Sequence, residues 1–167
     1  MIGLRVAGCE FSKLTFKFSR KIRNSKPATR NPQIMTNFLA PIPSIQLLSL
    51  AFLGILFLQS GLDKVFNYKG NFEWLKGHFS KSILKGTVGI LMPATTFLEV
   101  AAGVCCMIGI VQLILNGSTA IGLIGAQFSA LSILALFFGQ RLAHDYAGAA
   151  TLVGYFLVCL AAIFVLQ

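Results

Sequence analysis

Residues 87–115 read TVGILMPATTFLEVAAGVCCMIGIVQLIL, and this stretch decides the fold. It is longer than the roughly 20 residues that a helix needs to cross a hydrocarbon core of about 30 Å. Glu99 is its only charged side chain. Counted from Thr87 at about 1.5 Å per residue, Glu99 lies roughly 18 Å along the helix, near the middle of a bilayer. A carboxyl group there costs on the order of 3 kcal/mol unless a partner or a polar interior receives it.

The composition around that run agrees with a membrane setting. Of 167 residues, 56% are hydrophobic and 11% charged, with a mean hydropathy of +0.78, whereas about a quarter of a soluble domain is charged. Four apolar stretches are long enough to span: Ile45 to Phe66, Val88 to Leu115, Gly117 to Phe138 and Gly148 to Leu166. They are continuous and about twice as long as the alternating ten-residue segments of a transmembrane barrel, so they are helices. The expected fold is all-α, an integral membrane four-helix bundle over residues 35–167. Asn116-Gly117 leaves so little chain between spans two and three that these form a tight antiparallel hairpin.

Between spans one and two, Phe72, Leu75, Phe79 and Ile83 fall at helical spacing, with Glu73, Lys76, Lys81 and Lys85 mostly elsewhere. That pattern predicts an interfacial amphipathic helix over Asn71 to Lys85, with Trp74 and Tyr68 at headgroup level. Anchoring and a binding surface are both open readings of it. On span two, Thr95, Thr96, Ala102, Gly103 and Cys106 share the face of Glu99, while Leu91, Phe97, Leu98, Val104 and Ile108 crowd the others. Small residues let helices approach closely in lipid. Span three offers a matching stripe of Ser118, Gly122, Gly125, Ser129 and Ser132, and span four Thr151, Tyr155 and Cys159. These stripes are expected to meet in the bundle interior around Glu99.

Two polar clusters lie at the ends of spans, on the side from which Glu99 is approached along span two. Asp63-Lys64 closes the first helix, and Arg141, His144 and Asp145 precede the fourth. In the structural reading Lys64 and Arg141 snorkel to the interface and Asp145 caps a helix. In the functional reading a pocket opens toward that face, with Lys64 and Glu99 as a polar pair and His144 exchanging a proton.

The same residues carry a family resemblance. Gly54 in span one, Gly61-x-x-Lys64-Val65 at its end, Pro93, and Leu98-Glu99-x-x-x-Gly103 in span two, in a four-span chain of this size, resemble the DoxX family of small membrane proteins. The resemblance covers about residues 45–166. Members often carry an Arg early in the first span, where this chain has Leu50. The family takes its name from a thiosulfate:quinone oxidoreductase complex, and other members are linked to membrane redox complexes. The resemblance therefore implies an accessory role in a quinone- or thiol-linked redox system, with membrane or redox proteins as partners, in a bacterial inner membrane.

Self-sufficient redox chemistry is poorly provided for. Cys105 and Cys106 are adjacent and lack C-x-x-C spacing, and Cys159 reads as a small hydrophobe that could approach Cys106. His78 and His144 are the only histidines and lie outside the spans, unlike an intramembrane haem site. No metal cluster, dinucleotide fingerprint or phosphate loop is present in the sequence. The net charge of +9 sits in the N-terminal arm and beside membrane ends, which points to lipid and not to nucleic acid. Two functions stand: a redox-system subunit that binds a quinone or another small apolar molecule near Glu99, or a non-catalytic scaffold in which Glu99 specifies packing. A small transporter is less favoured, because four short spans offer little for alternating access unless the chain forms an oligomer.

Residues 1–34 hold eight of the fourteen basic residues and one acid, Glu10. They read as a disordered basic arm on anionic lipid, as an organelle transit segment, or as untranslated sequence upstream of a start at Met35. The topology depends on which. Without them, every Lys and Arg falls on the side of the loops 67–87 and 139–147, and the positive-inside rule places both termini outside. With them, eight basic groups oppose six and the bias nearly vanishes. A reporter fused to the C-terminus of the form starting at Met35 is expected to score as external; a cytoplasmic signal refutes that orientation.

Overall fold

In hydrocarbon a backbone can satisfy its N–H and C=O groups only within its own helix, so the apolar runs wind up along their whole length. The computed structural model describes residues 41–167; the basic arm of residues 1–34 and the start at Met35 lie outside the described residues. The elements are α1 (Pro41–Phe66), α2 (Tyr68–His78), a short 3-10 turn (Ile83–Gly86), α3 (Val88–Asn116), α4 (Ala120–Leu142) and α5 (Tyr146–Leu166). Helices α1, α3, α4 and α5 are long and apolar enough to cross a membrane. The chain is an all-α, multi-pass integral membrane protein.

Helix ends differ from the sequence expectation for local reasons. The described part of α1 runs from Pro41 to Phe66. Helix α3 ends at Gly117, whose φ of 68° is a conformation glycine adopts without strain and whose N–H returns to Leu113 O. Helix α5 starts at Tyr146 because the Asp145 carboxylate accepts from Gly148 N at 2.8 Å. The interfacial helix is shorter than expected. It stops at His78, and Ser82 then accepts from Leu84 N to start the 3-10 turn, a local side-chain bond that competes with helix. Phe79 is buried, but Ile83 is 87% exposed and leaves the apolar stripe.

The bundle is held by seams where backbones nearly touch. Along α1 and α3, a Cβ on Gly61 would meet Val100, one on Gly103 would meet Leu58, and one on Gly54 would meet Met107. That antiparallel register sets Phe66, the last residue of α1, level with Thr95. About two turns of α3 therefore project past the end of α1. Between α3 and α4, Gly109 faces Gly122 and Gly125 faces Cys106. At the other end, Gln46 Nε2 donates to Val165 O at 2.6 Å and closes α1 onto α5.

The interior stripe of α5 is not the one expected. Cys159 is buried together with Ala149, Ala162 and Leu166, but Thr151 and Tyr155 are exposed. Thr151 satisfies its hydroxyl on Gly148 O, and Tyr155 stacks on Phe52 at the outer surface. Cys105, Cys106 and Cys159 are free thiols, and Cys106 and Cys159 belong to the same buried core.

Close packing at Gly109 predicts an asymmetric response to one added methyl. In Gly109→Ala the new Cβ would lie 2.5 Å from Gly122 Cα, so backbones must part, at a cost of about 1–3 kcal/mol. Gly154→Ala, with nothing within 4 Å of its new Cβ, should be neutral or stabilising. Unfolding midpoints of the two variants in one detergent compare them directly.

Candidate intramembrane site

Glu99 is fully buried on α3, and its counter-charge comes from the last turn of α1. Lys64 Nζ lies 2.8 Å from Glu99 Oε2, with the lysine side chain 17% exposed. The same ammonium donates to Ser60 Oγ at 2.8 Å and to Ser60 O at 3.4 Å. Leu50 is buried and packs over Gly122, so it plays no electrostatic part. Glu99 is level with Leu62, about one turn inside the end of α1. Its depth counted from Thr87 included the turns of α3 that project beyond.

Those projecting turns create a cavity. Where α1 stops short, α2 folds across the gap, and a space of about 360 Å³ remains between α2, the start of α3 and the end of α4. Its walls are mostly apolar: Leu75 and Phe79 from α2 and the residue after it, Val88, Leu91 and Met92 from α3, Ala135, Leu136 and Phe138 from α4. Lys64 enters the wall at the inner end, directly above its bond to Glu99. Trp74, Asn71, His78 and Gln140 also line it.

The other residues expected at the site fall in different places. Thr95 lines the cavity, but its hydroxyl donates to Leu91 O and Met92 O, and that of Thr96 to Met92 O. Neither hydroxyl turns toward Glu99. Asp63 is exposed and accepts from Asn71 Nδ2 at 3.1 Å, which ties the start of α2 to α1. Arg141 does not reach Glu99; its guanidinium lies over the Tyr146 ring at 4.7 Å. His144 is exposed beside Tyr146 and not at the cavity. Its φ of 60° makes it the left-handed residue of a helix C-cap, with His144 N returning to Arg141 O and Asp145 N to Gln140 O.

Sequence reasoning placed the nearby histidine wrongly. It is His78 that lines the cavity, its Nε2 at 2.9 Å from Gln140 Oε1 and 4.0 Å from Asp145 Oδ2, with Trp74 stacked on its ring at 4.9 Å. The amphipathic pattern located α2, but nothing local marked His78, since Gln140 belongs to a distant helix. Helix α2 is thereby fastened at both ends, to α1 through Asn71 and to α4 through His78.

Comparison of the chain with protein-family models, with curated proteins and with solved structures finds no match.

The buried pair predicts a test by separation and removal. Lys64→Met leaves Glu99 without its cation and should destabilise the protein by about 3–5 kcal/mol. Adding Glu99→Leu to the same chain removes the stranded charge and should recover most of that loss. Unfolding of both variants in detergent measures it, and a Lys64→Met protein as stable as the parent would contradict the pairing.

Proposed function

We propose that this chain is a DoxX-type accessory subunit of a quinone- or thiol-linked membrane redox system, of the kind found in bacterial inner membranes. In this reading it holds a quinone-type or similar small apolar molecule in the cavity beside Lys64. The observation that carries the proposal is the cavity itself. Its volume of about 360 Å³ falls within the range of small-molecule sites, roughly 300–1,000 Å³, and it combines apolar walls with few polar groups, as such sites do. The single ammonium at its inner end gives an entering molecule a definite orientation, head toward Lys64 and body between α2, α3 and α4.

The chain's part in such a system is binding and orientation. Electrons would be exchanged with a partner protein, and the exposed edge of the cavity at Leu91 and Phe138 faces the lipid through which a quinone diffuses. In the scaffold reading the Lys64–Glu99 pair serves packing alone, and the cavity has no occupant.

Trp74 is the only tryptophan in the chain and lines the cavity, so its emission reports occupancy. A short-chain benzoquinone added to the protein in nanodiscs should quench Trp74 saturably. Ala135→Phe, which adds bulk to the α4 wall of the cavity, should weaken that quenching at least about ten-fold in affinity with little change in melting temperature. Quenching that never saturates, or that ignores Ala135→Phe while protein partners co-purify, would favour the scaffold.

A further inference from the structure

The segment that joins α2 to α3 carries a charge that the described residues do not balance. Residues 74–98 contain three lysines, Lys76, Lys81 and Lys85, and no acid. All three are exposed, and none makes an ion pair or a side-chain hydrogen bond with the described residues. The other cations of the loop end are better provided for. Lys64 is held by Glu99, Arg141 lies over the Tyr146 ring, and Lys69 has Glu73 one turn along α2.

The same segment holds an apolar side chain out from the protein. Ser82 N returns to Phe79 O, Lys85 N to Ser82 O and Thr87 N to Leu84 O, while Ser82 Oγ accepts from Leu84 N. These bonds fix the backbone of the 3-10 turn. At three residues per turn, successive side chains point about 120° apart, so Ile83, Leu84 and Lys85 cannot share a face. Leu84 turns inward and lines the cavity, whereas Lys85 is exposed and Ile83 is 87% exposed. Ile83 is thus presented between two unpaired lysines, next to the point where α3 enters the hydrocarbon. Ile90, in the first turn of α3, is exposed as well.

We infer that residues 81–85 bind the headgroup of an anionic phospholipid, with Ile83 among the acyl chains and the Lys81 and Lys85 ammonium groups on the phosphate. The inference goes beyond the cavity and does not depend on its occupant. Lysine stems lie along apolar surface while their ammonium groups stay at the polar level, which suits a lysine on each side of an inserted isoleucine. Charge names the occupant. A zwitterionic headgroup brings its own cation toward two ammonium groups that no acid offsets, and an anionic headgroup brings none.

Trp74, the only tryptophan, is exposed on α2 and lines the same cavity as Leu84, so its emission reports lipid beside this segment. The full chain is placed in phosphatidylcholine vesicles that contain dibrominated phosphatidylglycerol or dibrominated phosphatidylcholine as quencher. One lysine at an anionic surface corresponds to about five-fold in binding, so two should give the anionic quencher a preference of at least about ten-fold. Lys81→Gln with Lys85→Gln should lower that preference at least about five-fold, and Ile83→Ser should lower it several-fold. Lys69→Gln should leave it nearly unchanged. All of these positions are exposed, so melting temperatures should not move, and the single lysine variants give the same reading if the double variant is unstable. Equal quenching by the two lipids overturns the inference. A preference that survives loss of both lysines overturns its assignment to this turn, and relief of quenching by excess glycerol phosphate shows a site for soluble phosphate esters and not for lipid.

Discussion

A carboxylate sealed from solvent inside an apolar bundle must have a cation within reach, and the loop-side half of this protein is arranged around that requirement. Lys64 reaches Glu99 because the antiparallel register of α1 and α3 sets it about half a turn from the level of that carboxylate. Helix α1 ends close by, at Phe66, while α3 and α4 run on. The end of the short span, the gap above it and the crossing of α2 over the gap all lie beside that pair.

The pair in turn depends on close backbones. Gly54, Gly61 and Gly103 are the residues that let α1 lie against α3, and a Cβ at Gly61 or Gly103 would come within 2.7 Å of the facing helix. Without an aqueous driving force between helices, such contact depends on packing, which small residues make available. The spacing that connects Gly54, Gly61, Lys64, Glu99 and Gly103 is therefore a description of one seam, glycines along it and a charge pair at its end. The hairpin of α3 and α4 repeats the device with Gly109, Gly122 and Gly125, but ends it in Glu99 and Ser132.

The spans and the inward face of Glu99 were legible because long apolar runs and small-residue stripes are local signals. Ala102, Gly103 and Cys106 are buried and Phe97, Val104 and Ile108 exposed, as their positions around the helix implied. Span four was misread because polarity does not by itself mark an interior. Thr151 satisfies its hydroxyl on its own helix, and Tyr155 is half apolar and stacks outside. The exchange of roles between His78 and His144 was beyond local reading for another reason. His78 is defined by Gln140, 62 residues away, and His144 by a backbone handedness that glycine usually announces.

Helix α2 is tied down at both ends, by Asn71 to Asp63 and by His78 to Gln140, and so it is a strap and not a hinged flap. The way in that leaves these ties unbroken is lateral, past Leu91 and Phe138, from among the acyl chains. For any apolar guest the relevant concentration is then its mole fraction in the bilayer, far above its concentration in water. A site fed in this way can stay filled with only a weak preference over lipid, and can empty as readily when the guest is drawn off elsewhere in the membrane.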